Sequence, residues 1–191
     1  MIISGPSGVG KGTVIRLLKA KYPGFIFPIS QTTREMRPSE KEGEVYNFIP
    51  EERFKSDIEK GNFLEWAQVH KKDYYGTLKK PIIDALEAGK VVVREVDVQG
   101  FHSITKVVPK KNLITIFLKA ENPQKLLERI AKRGQLPEEE LQRRMASAER
   151  EMADAGLFDF EVWSLEGKIP ELVADVEKVI LERIVQAGLK V

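Results

Sequence analysis

The string Gly5-Pro6-Ser7-Gly8-Val9-Gly10-Lys11-Gly12-Thr13 concentrates the most usable chemistry in the 191-residue chain. Its glycines let backbone N–H groups turn inward to form a nest for an anion. Lys11 adds a positive charge on a flexible stem, able to follow β- and γ-phosphates during a transfer. Such a string carries weight only between a strand and a helix. Ile2-Ile3 reads as the end of a buried strand, and Val14, Ile15, Leu17 and Leu18 recur at helical spacing. The helix is expected to end near Pro23-Gly24 and to aim its positive end at the loop. The plain alternative is a glycine-rich turn with a solvated lysine. In the usual pattern a Ser or Thr directly follows the lysine as a magnesium ligand. Here Gly12 holds that place and Thr13 comes next, so magnesium is expected to rest mainly on phosphate oxygens and water.

Two other groupings invite a chemical reading. Arg34 and Arg37 stand three residues apart, with Tyr46 downstream. Forked guanidinium groups and a phenol hydroxyl suit a phosphate dianion, although arginines in a polar loop are often merely solvated. Glu95 and Asp97 follow the apolar run 91–93 at alternate positions, which places both carboxylates on one face of a strand. Acids at a strand end can also simply cap the next helix.

The elements that must carry these residues follow from periodicity. Short apolar strands are expected at 25–29, 91–93, 113–118 and 161–163, and helices at 80–88, 123–132, 138–152 and 170–185. Gly89 stands where a helix C′ residue belongs. Strands alternating with helices argue for an α/β fold with a parallel sheet flanked by helices on both faces. Between 30 and 77 the texture changes to polar and basic residues, short strands at 45–49 and 63–69, and one helix at 51–60. This is expected to be a small inserted lobe, leaving 1–29 and 78–191 as the core.

Composition excludes several classes. There is no cysteine, so disulfides, thiolate metal sites and cysteine nucleophiles are out, which suits a reducing compartment. Two histidines, His70 and His102, make no metal site and have no assignable role. With 31 basic and 29 acidic side chains the net charge of +2 gives no global field for nucleic acid or a membrane surface. No apolar run approaches the roughly 18 residues of a membrane span. With only Met1-Ile2-Ile3-Ser4 ahead of the loop, no signal peptide and a short first strand are expected. A cytoplasmic monomer or homodimer is expected.

A wider pattern then emerges. Ser30-x-Thr32-Thr33-Arg34-x-x-Arg37-x-x-Glu40 and Gly43-x-x-Tyr46-Asn47-Phe48 resemble the GMP-binding region of guanylate kinases. Phe63-Leu64-Glu65-Trp66-Ala67, Tyr74-Tyr75-Gly76-Thr77 and Asp97-Val98-Gln99-Gly100 do so as well, in the family's order and over most of the chain. The resemblance implies a P-loop kinase fold with an inserted GMP-binding lobe and a lid at about 129–145. It implies ATP and GMP (or dGMP) as substrates, ADP and GDP as products, and Mg²⁺ as cofactor, in purine nucleotide metabolism. ATP then sits on residues 5–13 and Arg133. Ser30, Arg34, Arg37, Glu40, Tyr46, Glu65, Tyr75, Thr77 and Asp97 hold GMP. Glu65 accepts from guanine N1–H and N2–H, while the Ser30 and Thr77 hydroxyls complete the reading of the base. Adenine would set a lone pair against the carboxylate. Lys11, Arg34, Arg133 and Arg144 are the implied catalytic residues, with Arg129 a weaker match. Arg143 and Arg150 read as surface partners of nearby glutamates, and Phe63 as packing.

Three positions depart from the family pattern. The resemblance implies a magnesium or water-shell role for Asp97 and Glu95, but the family usually carries two aspartates there, and Glu95 moves its carboxylate by one methylene. Gly12 follows Lys11. Trp163-Ser164 stands where Val-Asn is common, and serine reproduces part of the asparagine's hydrogen bonding. Two other readings are weighed. Related domains act as non-catalytic protein-binding modules after losing the loop or lid chemistry, whereas Lys11, Arg133 and Arg144 persist here. A kinase for another phosphate ester, such as a ribose bisphosphate, would have no use for the Glu65, Ser30 and Thr77 set.

Overall fold

A computed structural model describes residues 1–38, 40–69, 72–121, 124–126, 128 and 138–188. Its parallel sheet forms from β6 (Arg94–Glu95), β1 (Ile2–Ser4), β7 (Thr115–Ala120) and β8 (Phe160–Ser164), in that spatial order. The pleat sends alternate side chains to opposite faces. Ile3, Ile116 and Leu118 face one core, shared with Val14 and Leu18 of α1 (Lys11–Lys21). That core also holds Leu172, Val176, Ile180 and Ile184 of the closing helix α6 (Ile169–Gln186), a four-residue repeat that forms a single stripe. Ile2 and Phe117 face the second core, with Val98, Phe101 and Ile104 of α4 (Val98–Thr105) and with Phe158. Each fully buried aliphatic side chain contributes about 1.5–3 kcal/mol, so β1 is held firmly despite its three residues.

A second sheet forms within the polar segment. Its spatial order is β3 (Tyr46–Phe48), β2 (Ser30–Thr32), β5 (Asp73–Leu78) and β4 (Phe63–Val69). The β2–β3 pair is parallel, while β5 runs antiparallel to both β2 and β4. Helix α2 (Glu51–Glu59) buries Phe54 against Phe63, with ring centroids 4.3 Å apart. Gly76 makes this packing possible, because a Cβ there would lie 2.8 Å from the Phe63 ring and 2.9 Å from Phe54. Helix α3 (Lys79–Glu87) then returns the chain to the first sheet and ends at Gly89, φ 68°. Leu64 of β4 joins Ile82 and α4 in the second core, which ties the two sheets together.

The sequence reading and the structure differ in a few places. Segment 25–29 makes one bridge, Ile26 to Val92, rather than a strand; Pro28 lacks the N–H that would extend the ladder. Val91 O and Val93 N bond to Ile26 and Val92 O accepts from the Met1 amine, so ladder pairing with β1 falls on Arg94 and Glu95 instead. Helix α4, β2 and β5 are additional elements. Helix α5 (Glu138–Ala153) matches the expectation, whereas most of the helix expected at 123–132 lies outside the described residues.

Candidate active site

The loop between β1 and α1 takes positive φ at Gly5 (140°), Gly8 (84°) and Gly10 (111°). At Gly5 the requirement is also steric, since a Cβ would stand 2.4 Å from the Leu118 carbonyl of β7. Val9 is fully buried, and its N–H donates to the Pro6 carbonyl at 3.2 Å. Helix α1 begins without a side-chain cap and without an acid in its first turn, so its N-terminal N–H groups and positive dipole end stay available to an anion. Lys11 Nζ donates to the carbonyls of Gly5 at 2.5 Å and Pro6 at 3.2 Å, parked across the mouth of the loop. A pocket of about 420 Å³ here is lined by Ser7, Gly8, Gly10, Lys11, Gly12, Thr13, Arg16 and Glu95. No heavy atom lies within 4 Å of a Cβ built on Gly12, so space does not dictate that departure.

A cleft of about 1210 Å³ adjoins the loop and lies between the two sheets. It brings together Lys11, Ser30, Tyr46, Glu65, Tyr75, Glu95 and Asp97. Antiparallel register sets Glu65 of β4 opposite Thr77 of β5, and Thr77 Oγ1 donates to Glu65 Oε1 at 2.6 Å. The hydroxyls of Ser30 and Thr77 are 3.5 Å apart. Arg34 donates from Nη2 to Glu40 Oε1 at 2.9 Å and from Nη1 to the Glu35 carbonyl at 2.6 Å. Its guanidinium also lies 5.5 Å from the Phe48 ring centroid and 5.7 Å from that of Tyr46. The bond to Glu40 holds the Arg34 pKa above its ordinary value. Glu40 is pushed below the usual carboxylate range by the same bond and by the Arg37 N–H, which donates to its Oε2 at 2.9 Å. With both oxygens engaged, Glu40 braces the arginine loop from behind. Burial raises the Tyr46 pKa, which keeps its hydroxyl protonated as a donor.

The acidic pair divides its work. Asp97 Oδ1 accepts from the Gly100 N–H at 2.7 Å and so caps α4, the structural role available to a strand-end acid, while the residue still lines the cleft. Glu95 is exposed and lines both the cleft and the loop pocket. Hard carboxylate oxygens beside a phosphate nest suit a magnesium ion that keeps several waters. Among the described residues no group of three or more acidic or histidine side chains converges.

Outside the phosphate loop, five described sequence-predicted residues stand apart from the cleft lining. Arg34 and Glu40 are half-buried and paired with each other, Arg37 is exposed, Thr77 is buried behind Glu65, and Arg144 is half-buried on α5. Arg133, Arg129 and His70 lie outside the described residues. Phe63 packs on Phe54, in keeping with its reading as a core residue, and His102 lies edge-on to Phe101. Sequence reasoning overlooked Arg94, whose guanidinium reaches Ser30 and Glu65. A charge interrupting the apolar run before Glu95 was the available signal. Glu151 of α5 was also overlooked; it is half-buried, accepts from Ser147 at 3.0 Å, and feels the charges of Lys11 and Asp97.

The guanylate kinase family model matches residues 1–183. The guanylate kinase of Helicobacter pylori is 40% identical over 185 residues, covering 96% of this chain and 88% of its own. That of Prochlorococcus marinus is 41% identical over 180 residues, covering 94% and 95%. The crystal structure of guanylate kinase from Anaplasma phagocytophilum shares the fold with a TM-score of 0.71 at 23% identity, covering 95% of this chain and 83% of that one.

Proposed function

The chain belongs to the guanylate kinase family and is an ATP:GMP phosphotransferase, and from that premise we propose how its residues divide the work. ATP lies with its phosphates in the nest of residues 5–13, where Lys11 leaves the Gly5 and Pro6 carbonyls for the phosphate oxygens. GMP lies in the cleft between the sheets, its base toward Glu65, Ser30 and Thr77 and its phosphate toward Arg34, Arg37, Tyr46 and Tyr75. A phosphate oxygen of GMP attacks the γ-phosphorus in line while the bond to the ADP oxygen breaks, so no covalent enzyme intermediate is needed. Arg133 and Arg144 offset charge on the transferring group, and closure over it excludes water.

Magnesium, when bound, neutralises charge on the ATP phosphates; Glu95 and Asp97 are the residues that would hold it, through its water shell. The division into a core of 1–29 and 78–191 and a lobe of 30–77 is supported by the separate sheets, with Ser30 and Thr77 near the crossing points. The proposed assembly is a monomer or a homodimer. Among the described residues no helix is long and apolar enough to cross a membrane, and the proposed location is the cytoplasm, where ATP and GMP are available.

The single observation that carries this division is the convergence on one cleft of Lys11, from the start of α1 beside the first sheet, and Glu65, from β4 of the second. The test is ADP formation from Mg·ATP with GMP, dGMP, AMP, UMP and CMP as separate acceptors. Turnover restricted to GMP and dGMP is expected. Comparable turnover with AMP would remove the base-reading role of Glu65.

A further inference from the structure

Arg94 crosses from the first sheet to the second. Its Nη1 donates to the Pro28 carbonyl at 3.2 Å, and its Nη2 donates to Ser30 Oγ and, at 3.2 Å, to Glu65 Oε1. The Arg94 and Glu65 side chains are only 16% and 13% exposed, and all three residues line the cleft. An ion pair removed this far from water is retained at a cost in desolvation, which makes its orientation informative.

A guanidinium has donors and no acceptor. Ser30 Oγ must therefore accept from Arg94, so its own proton points elsewhere, toward the cleft or weakly toward Thr77 at 3.5 Å. The described bonds to Glu65 from Thr77 and Arg94 both fall on Oε1, leaving the lone pairs of Oε2 for a ligand. With one Ser30 lone pair taken by Arg94, the row facing the cleft is biased toward a donor at Ser30 and an acceptor at Glu65. Guanine presents the complement along one edge, with O6 accepting and N1–H and N2–H donating. Adenine presents a donor at N6 and an acceptor at N1, the reverse order.

We propose that Arg94 is a positioning residue for guanine selectivity, acting through Ser30 and Glu65 by setting the hydrogen-bond polarity of the edge that reads the base. The inference rests on the reading that Glu65 faces guanine. It predicts an effect on GMP that leaves ATP alone and that depends on Glu65.

The test is steady-state kinetics of Arg94→Leu, Arg94→Lys, Glu65→Gln and the Glu65→Gln/Arg94→Leu double variant, with melting temperatures alongside. Arg94→Leu is expected to raise KM for GMP about tenfold or more, the consequence of losing charge-assisted bonds, while KM for ATP stays within about twofold. Arg94→Lys should recover part of the loss, since it restores the charge but not the fork. In the Glu65→Gln background the Arg94→Leu effect should shrink to less than about threefold, because the partner it positions has already gone. If Glu65→Gln raises KM for GMP and Arg94→Leu does not, the proposal falls and the base reading stands. If Glu65→Gln leaves the GMP preference unchanged, the base reading fails and takes the proposal with it. Equal rises in KM for GMP and ATP would show a merely structural role and overturn the proposal. Should Arg94→Leu not fold, Arg94→Lys decides: a severalfold rise in KM for GMP alone supports positioning, and wild-type KM overturns it.

Discussion

Ser164 Oγ donates to the backbone carbonyl of Val9 at 2.7 Å, joining the end of strand β8 to the phosphate loop across 155 positions of sequence. Both residues are fully buried, so no solvent can substitute for this bond. The serine that stands where the family commonly has asparagine therefore braces the loop from beneath. Ser164→Ala would leave the Val9 carbonyl without this donor, at a cost of about 1–3 kcal/mol. We expect the melting temperature to fall by several degrees and KM for ATP to rise a few-fold while KM for GMP stays put. Calorimetry and paired substrate titrations check this; an unchanged melting temperature would mean the carbonyl finds another donor.

Lys11→Met removes the mobile charge and keeps the stem. Among the described residues the lysine's hydrogen bonds go to the Gly5 and Pro6 carbonyls at the loop mouth, where water can take its place. The expected result is a wild-type circular dichroism spectrum and a kcat lower by about 10²–10³, the scale of losing one transition-state donor. A kcat within about threefold of wild type would remove its assigned role.

The glycine loop and the parallel sheet were legible because each rests on local chemistry. Glycines at 5, 8 and 10 mark positive φ, and apolar runs mark buried strands. The arrangement of Arg94, Ser30 and Glu65 was not legible, since it joins three strands from two sheets and no local spacing encodes it. Asp97 shows the opposite limit: its position announced a strand-end acid, but only the structure shows one oxygen spent on capping α4. The strand expected at 91–93 slid to Arg94–Glu95 because hydrophobicity reports burial and not which backbone groups pair.

Glu65→Gln keeps the shape and loses one acceptor oxygen and the charge. An amide in this place would turn an NH₂ group toward either Thr77 and Arg94 or the ligand, a donor facing a donor in each case. KM for GMP is expected to rise about 10- to 100-fold with a weakened preference over AMP, since unpaired polar groups in a site are costly. Competition between GMP and AMP at fixed Mg·ATP measures the preference directly, and an unaltered ratio would place base reading elsewhere.

Glu151 provides a prediction in pH. Its pKa is raised, chiefly because the half-buried carboxylate loses water, with Asp97 pushing the same way and Ser147 and Lys11 opposing. A folded-state value above the unfolded one, about 4.3, means that the native protein binds this proton more tightly. The carboxyl's stabilising contribution is then complete below about pH 4.3 and is lost as pH rises through the folded value. Gln has nearly the same shape, still offers an oxygen to Ser147, and does not titrate. Glu151→Gln and wild type should therefore melt alike near pH 4, with the variant gaining a margin as pH rises and holding it at neutrality. Melting temperatures from pH 4 to pH 8 check this. A margin independent of pH would trace the difference to packing, and a variant less stable at pH 7 would show that attraction to Lys11 outweighs the loss of water.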